Sequence, residues 1–549
     1  MNLIKNANLY WHTIRYLKFS QIYGRLRFRL LHPNFDLSAP PNIRNKMGNW
    51  KSPIKRNISL IAPDEFVFFK EHGSLAVIGW EGGERSDLWR YNQHYFDDLN
   101  SLSAPQKSQW HKELIQKWIQ ENKSIYGVGW DPYPSSLRIV NWIKWVLAGN
   151  ELPKAGIHSL AIQARNLSRR IEWHLLGNHL LANAKALLFA GLYFQGEEAD
   201  EWLTLGLGII QRELSEQVLL DGGHFERSTM YHAIILEDLL DLINASKLWS
   251  NSIETSIILE WEIIAGKMLL WLSRMIHPDG EISLFNDAAF NIAAIPLDLF
   301  SYARSLGLRF EKNQTKCPLI VNVLKESGYI QLTSNNAVAF LDAAPVGPDY
   351  LPGHAHADSL SFELSLFDQR IFVNGGTSRY GICPQRLRER QTISHSTVEV
   401  DQMSSSEVWS GFRVARRAKP FGLQIKSTEE EIYVGCSHDG YVRLKGKPIH
   451  HREWILTTND LTISDRVTGG EHKSIARFIL HPSVSIDRLN ASDWCIYMPL
   501  GQKALFKVLD GNSFVEAASY APEFGTVLQT QCLAIELKLG RSQAKLQWN

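Results

Sequence analysis

The stretch Leu360-Ser361-Phe362-Glu363-Leu364-Ser365-Leu366 alternates apolar and polar residues without a break. Successive side chains of a strand point to opposite faces, so a period of two predicts a half-buried β-strand. Thr397 to Val400, Glu431 to Val434 and the segments flanking Asn459-Asp460 predict further strands and a hairpin. Working back toward the N-terminus, the rhythm changes near residue 315. Leu181, Ala184, Leu187, Leu188, Gly191 and Leu192 recur at helical spacing, as do Ile234, Ile235, Leu239 and Ile243, with Glu237, Asp238 and Asp241 expected on a polar side. Leu137 to Leu147 and Ile257 to Met275 read the same way, and turns such as Asp221-Gly222-Gly223 suggest stacked antiparallel helix pairs. Helices followed by strands predict two domains of different class, α and then β, rather than an alternating sheet. The expected division is a basic segment over 1–50, a helical domain over 51–314 and an antiparallel β domain over 315–549, with the boundary at Glu311 to Pro318.

At 549 residues the chain is too long for one core, which agrees with two large domains. A formal net charge of +1 singles out no polyanion, nucleic acid included, as a partner, so any attraction for one must be local. Lys5, Arg15, Lys18, Arg25, Arg27 and Arg29 all precede the first acid, Asp36; they read as a solvated basic face on a helical segment. Cys317, Cys383, Cys436, Cys495 and Cys532 are scattered and odd in number, which predicts reduced structural thiols. No secretory signal is legible and no stretch reaches the roughly 20 apolar residues of a membrane span. The cytoplasm is therefore the expected compartment, with the periplasm as the alternative. Of the 18 tryptophans, Trp80, Trp89, Trp130, Trp142 and Trp409 sit beside polar residues, and such rings can stack on sugars.

Four segments carry candidate chemistry. Gly177-Asn178-His179 joins an amide donor and an ionisable ring at a helix start, where free N–H groups favour an anion. In Phe225 to His232, Ser228 is a candidate N-cap that would place Tyr231 in the first helical turn. In Gly353-His354-Ala355-His356-Ala357-Asp358 the two histidines fall on one side of an extended chain, a spacing that suits a metal or one ligand beside one catalytic ring. The last runs from Asn374 through Tyr380 to Ser394-His395-Ser396. No nucleophile elbow, phosphate loop or zincin motif is present. Glu226, Asp287 and Glu363 are carboxylates of the kind glycosidases pair, but spacing pairs none of them.

From Tyr91-Asn92-Gln93-His94-Tyr95-Phe96 to His450-His451-Arg452 the chain resembles the heparinase II/III superfamily of polysaccharide lyases. The stretches that carry the resemblance are Trp130 to Pro134, Asn178 to Asn183, Met230-Tyr231-His232, Gly353 to Asp358, Ser394 to Val398 and Phe412 to Ala415. The resemblance implies an incomplete (α/α) toroid followed by an antiparallel β-sandwich domain, with a cleft between them. It implies β-elimination on a uronate-containing acidic polysaccharide or oligosaccharide and no organic cofactor. It assigns Asn178 and His179 to the uronate carboxylate, Tyr231 and His354 to proton transfer, and Tyr95, Trp130, Arg227, His232 and Tyr380 to substrate binding. It places one structural Zn2+ on His356, Asn374 and His395, although Asn374 stands where the family usually carries an aspartate.

Such chemistry must remove the weakly acidic C5 proton of a uronate and protonate the departing O4. A phenol with an ordinary pKa near 10 acts as a base at neutral pH only if positive groups lower it; His179, His232, His354 and Arg227 are the expected ones. Two other classes compete: a glycoside hydrolase, and a non-catalytic glycan-binding or assembly factor of surface-polysaccharide production. The joint presence of Asn178, His179, Tyr231 and His354 favours the lyase.

Overall fold

The computed structural model describes residues 2–30, 36–123, 126–309 and 318–548, with side chains from residue 7 onward. Two helices, α1 (Asn2–Ile14) and α2 (Phe19–Leu30), come first. A three-stranded antiparallel sheet follows over 60–74, then the single turn α3 (Leu75–Ile78). The helical domain consists of α4 (Asp87–Tyr95), α5 (Ser108–Glu121), α6 (Pro132–Leu147), α7 (Lys154–Arg169), α8 (Gly177–Tyr193), α9 (Glu197–Gln217), α10 (Thr229–Leu248), α11 (Thr255–Ser273) and α12 (Pro296–Ser305). It is an incomplete α/α toroid. Its inner helices have no solvated side: in α8 every residue from Leu180 to Tyr193 is buried.

That burial corrects the expected amphipathic reading of α10. Glu237 and Asp241 are buried, and Lys144 and Lys185 reach Asp241 from α6 and α8, while Arg56 pairs with Glu237 at 2.8 Å. A buried carboxylate is tolerable only when paired, so lysines on neighbouring helices take the place of water.

The boundary expected at Glu311 to Pro318 lies, apart from Pro318, outside the described residues, as does Cys317. The strands of the second domain begin at Ile320. Five of them (320–324, 329–333, 337–342, 362–366 and 369–372) form one antiparallel sheet. Phe372 bridges to Leu480 of a four-stranded sheet, and an eight-stranded antiparallel sheet packs opposite. Their shared core contains Phe362, Phe372, Phe478, Phe506 and Trp454. The hairpin expected around Asn459-Asp460 pairs His450–Leu456 with Asp460–Val467.

Phe362–Leu366 is a strand, but it is buried on both faces. Its polar face meets the helical domain: His277 Nε2 lies 2.9 Å from Glu363 and His277 Nδ1 2.7 Å from Ser365 Oγ. The polar half of the alternation marks a domain interface. Trp271, Met275 and Phe285 continue that interface against Leu324, Tyr329 and Phe340, and Arg370 grips Asp279. Among the described residues no helix is long and apolar enough to cross a membrane.

Candidate active site

Three chain segments converge where the two domains meet. The first is the start of α8. Leu176 and Gly177 both have positive φ, at 61° and 55°, and a Cβ on Gly177 would fall 2.7 Å from Glu226 Oε1 and 2.5 Å from Leu351. Only glycine fits such an approach in that conformation, and it places Asn178 and His179 in the first turn. Glu172 holds His179 Nδ1 at 3.3 Å, and the Tyr133 ring packs on the imidazole at 4.4 Å between centroids. Burial works against a charge on His179, but Glu172 outweighs it, so the pKa is raised above 6.5. This histidine is set up to carry positive charge toward an anion.

The second segment is the N-terminus of α10. Ser228 caps it, its Oγ accepting from Tyr231 N at 3.2 Å, and its hydroxyl donates to Asp287 O at 2.6 Å. Arg227 takes φ 58°, with its carbonyl accepting from the Tyr329 hydroxyl at 2.7 Å and from Asn286 Nδ2 at 3.0 Å. This kinked entry aims Tyr231 at the cleft. Its hydroxyl lies 2.9 Å from the Tyr380 hydroxyl, and its ring 4.0 Å from the His354 ring.

The third segment is the loop before Phe362–Leu366. His354 donates from Nδ1 to Asp287 Oδ2 at 2.9 Å, which leaves Nε2 facing the cleft 3.9 Å from Glu226. Asp287 is the hub of the site and is fully buried. Arg386, from α13 (Pro384–Arg390), pairs with both of its oxygens, and His356 Nε2 donates to it at 2.8 Å. Burial alone would raise the Asp287 pKa; Arg386 and the two histidines hold it well below the ordinary value. The sequence offered Asp287 only as an unpaired carboxylate. Its role is legible only once His354, His356 and Arg386 are brought around it.

Two of the groups expected to lower the Tyr231 pKa point away from it. His232 donates from Nε2 to Met268 O at 3.0 Å and accepts from His224 N, inside the helical core. The Arg227 guanidinium turns away to Ser327 O and Phe225 O. Burial, then Tyr380 and Asp287, push the Tyr231 phenol well above 10. In the free protein Tyr231 is therefore a protonated phenol. Trp130 is also placed elsewhere, buried with its Nε1 on Asn122 O beside Trp118. Tyr95 is buried edge-on against Tyr133 at 5.9 Å, one ring behind His179. Of the five residues assigned to substrate, Tyr380 reaches the Tyr231–His354 pair.

The carboxylates a hydrolase would need are not paired across a cleft. Asp287 is committed to Arg386 and Glu363 to His277, which leaves Glu226, raised by burial, as the remaining one of the three.

The three expected zinc ligands do come together: His395 Nδ1 is 3.3 Å from Asn374 Oδ1, and the His356 and His395 rings are 5.2 Å apart. His356 Nδ1 and His395 Nε2 are buried without a hydrogen-bond partner, as lone pairs awaiting a cation would be. The third position fails. Asn374 Oδ1 is already engaged by Ser396 N and by His395 Nδ1, each at 3.3 Å, and Nδ2, left without a partner, is a donor, so the side chain offers no free ligand atom. Two imidazoles and an amide N–H2 fall short of the three protein ligands zinc ordinarily takes. Among the described residues no group of three His, Cys, Asp or Glu side chains is arranged to hold one.

Comparison with known families decides the chain's kinship. The model described as Heparinase II/III N-terminus matches residues 136–306, and Heparinase II/III-like, C-terminal matches 318–549. The chain belongs to the heparinase II/III family. A heparin-sulfate lyase of Bacteroides stercoris is 26% identical over 281 residues, 48% of this chain and 41% of that protein. A heparin-sulfate lyase of Pedobacter heparinus is 26% identical over 246 residues, 42% of this chain and 36% of that protein. The matched stretch thus spans less than half the length of either relative. The crystal structure of heparinase III superposes with a TM-score of 0.70 at 17% identity, over 86% of this chain and 80% of that one. That likeness shows a shared toroid-plus-sandwich fold.

Proposed function

We propose that this member of the family is a polysaccharide lyase that cleaves a uronate-containing acidic glycan by β-elimination. The observation that carries the proposal is the meeting of three separate segments at one cleft: Glu226 lies against the α8 start that bears Asn178 and His179 and 3.9 Å from His354 Nε2, Tyr231 packs its ring on His354, and Asp287 holds His354 Nδ1. The heparin-sulfate lyase relatives support the reaction class.

Asn178 and positively charged His179 meet the uronate carboxylate, which lowers the cost of the enolate-like transition state; one well-placed donor is worth ~3 kcal/mol. His354 is the base. Asp287 fixes its tautomer with the proton on Nδ1, so Nε2 is free to take the C5 proton, and the carboxylate stabilises the imidazolium that forms. Tyr231, a protonated phenol, is the acid that delivers its proton to the leaving O4, and Tyr380 is placed to resupply it. No water enters the products. The test is an acidic-polysaccharide panel read by the ultraviolet absorbance of the 4,5-unsaturated uronate. Absorbance should rise with at least one uronate glycan, and new reducing ends without absorbance would sink the reading.

A further inference from the structure

We propose that the N-terminal helical pair is a docking element for an anionic lipid surface, an inference independent of the lyase reading. The buried side of α2 is narrow. Gln21 Nε2 donates to Tyr350 O at 3.1 Å, Phe28 packs on His174 at 4.5 Å, and Gly24 lies so close that a Cβ would sit 3.0 Å from His174 N. Lys18 pairs with Glu216 at the end of α9 and lies over the Tyr350 ring at 3.7 Å. From α1, Thr13 accepts from Trp409 Nε1 at 3.1 Å, and Tyr10 meets the Trp409 ring edge-on at 4.9 Å. The pair thus lies across the seam, anchored on α9 and the 173–174 loop of one domain and on the 350 and 409 loops of the other.

The opposite side of α2 faces outward and is apolar. Phe19 (79% exposed), Ile22, Tyr23, Leu26 and Leu30 (76%) recur at i, i+3, i+4, i+7 and i+11, which on a helix makes one continuous stripe about 100° wide. Arg27 borders it on one side, and Arg25 and Arg29 on the other. Trp11, 65% exposed, and Ile14 add to the apolar surface from α1. An apolar stripe turned to solvent is costly in an isolated monomer, and a soluble partner with ordinary surface charge would not need the rest of the pattern. The whole segment before Asp36 has no acid, and Arg25, Arg27 and Arg29 are exposed. Aromatic and aliphatic side chains between arginines fit a surface that offers acyl chains below a layer of negative headgroups. A helix lying in that plane would bury the stripe, with the arginines at headgroup level.

Each arginine brought to such a surface contributes about fivefold in partitioning. The full chain should sediment with vesicles of phosphatidylglycerol and phosphatidylcholine at least tenfold more than with phosphatidylcholine alone, and the difference should shrink as salt is raised. F19S/L26S/L30S should lower partitioning to the anionic vesicles tenfold or more with little change in Tm, since those side chains are exposed and take no part in the buried core. R25Q/R27Q/R29Q should remove the preference for anionic vesicles and leave any binding to neutral ones unchanged. Two results would overturn the proposal: no vesicle binding at low salt, or equal binding to both vesicle types. Light scattering that shows the wild-type chain dimerising through the stripe, with F19S/L26S/L30S monomeric and neither bound to vesicles, would overturn it in favour of a second copy.

Discussion

Replacing Tyr231 by phenylalanine removes one oxygen from the site and leaves the ring packed on His354, with 4.0 Å between centroids. The structural loss is one hydrogen bond, to Tyr380, worth about 1 kcal/mol net. The catalytic loss is the general acid, worth roughly 10² to 10⁴ in rate, or about 3–5 kcal/mol of barrier. The two are separable because Tyr380→Phe breaks the same hydrogen bond and leaves the Tyr231 phenol in place. We therefore expect Tyr231→Phe to cut kcat at least ~100-fold and Tyr380→Phe to stay within about tenfold, with both variants losing about 1 kcal/mol in urea unfolding. The assay is the initial rate of unsaturated-uronate absorbance at saturating glycan. If Tyr231→Phe kept a rate within tenfold of the wild type, or if Tyr380→Phe lost as much, Tyr231 would not be the acid.

Asp287→Asn should destabilise the protein by about 3–5 kcal/mol, because the fully buried Arg386 loses its counter-ion; Asp287→Asn/Arg386→Met should recover part of that in the same unfolding assay, and additive losses would argue against the pairing. Glu172→Gln removes the charge that raises the His179 pKa, so the protonated fraction of His179 falls as pH rises through its lowered value. The alkaline limb of the kcat/KM profile should then shift to lower pH, and an unmoved limb would take His179 out of carboxylate binding. Asn374→Asp replaces the neutral amide with a carboxylate beside His395, which supplies the ligand oxygen that the amide lacks. Elemental analysis should find close to one zinc per chain in that variant and well under that in the wild type; equal content would show that Asn374 is no obstacle.

The order of helices and strands was legible because periodicity reports which faces are buried, and α8 and α10 begin where Gly177 and the Ser228 cap imply. What periodicity could not tell is what covers a face. Glu363 and Ser365 read as solvated and are instead the polar seam between domains, and Glu237 and Asp241 read as an outer surface yet meet Arg56 and the lysines of α6 and α8. Both errors have one source: a buried charge looks like a surface charge until its partner, distant in sequence, is known. The same limit hid Asp287, whose partners His354, His356 and Arg386 lie 67, 69 and 99 residues away. It also misplaced Arg227 and His232, which neighbour Tyr231 in sequence but point elsewhere because one precedes the helix with positive φ and the other faces its core.

Elimination and hydrolysis differ in the fate of one water molecule, so cleavage of a uronate glycan in heavy-oxygen water tests the central claim most directly. Mass spectrometry should find oligosaccharides that carry a 4,5-unsaturated, dehydrated uronate at the new non-reducing end and no heavy oxygen from the cleavage step. Products one water heavier, labelled by the solvent at the new chain end, would contradict the account.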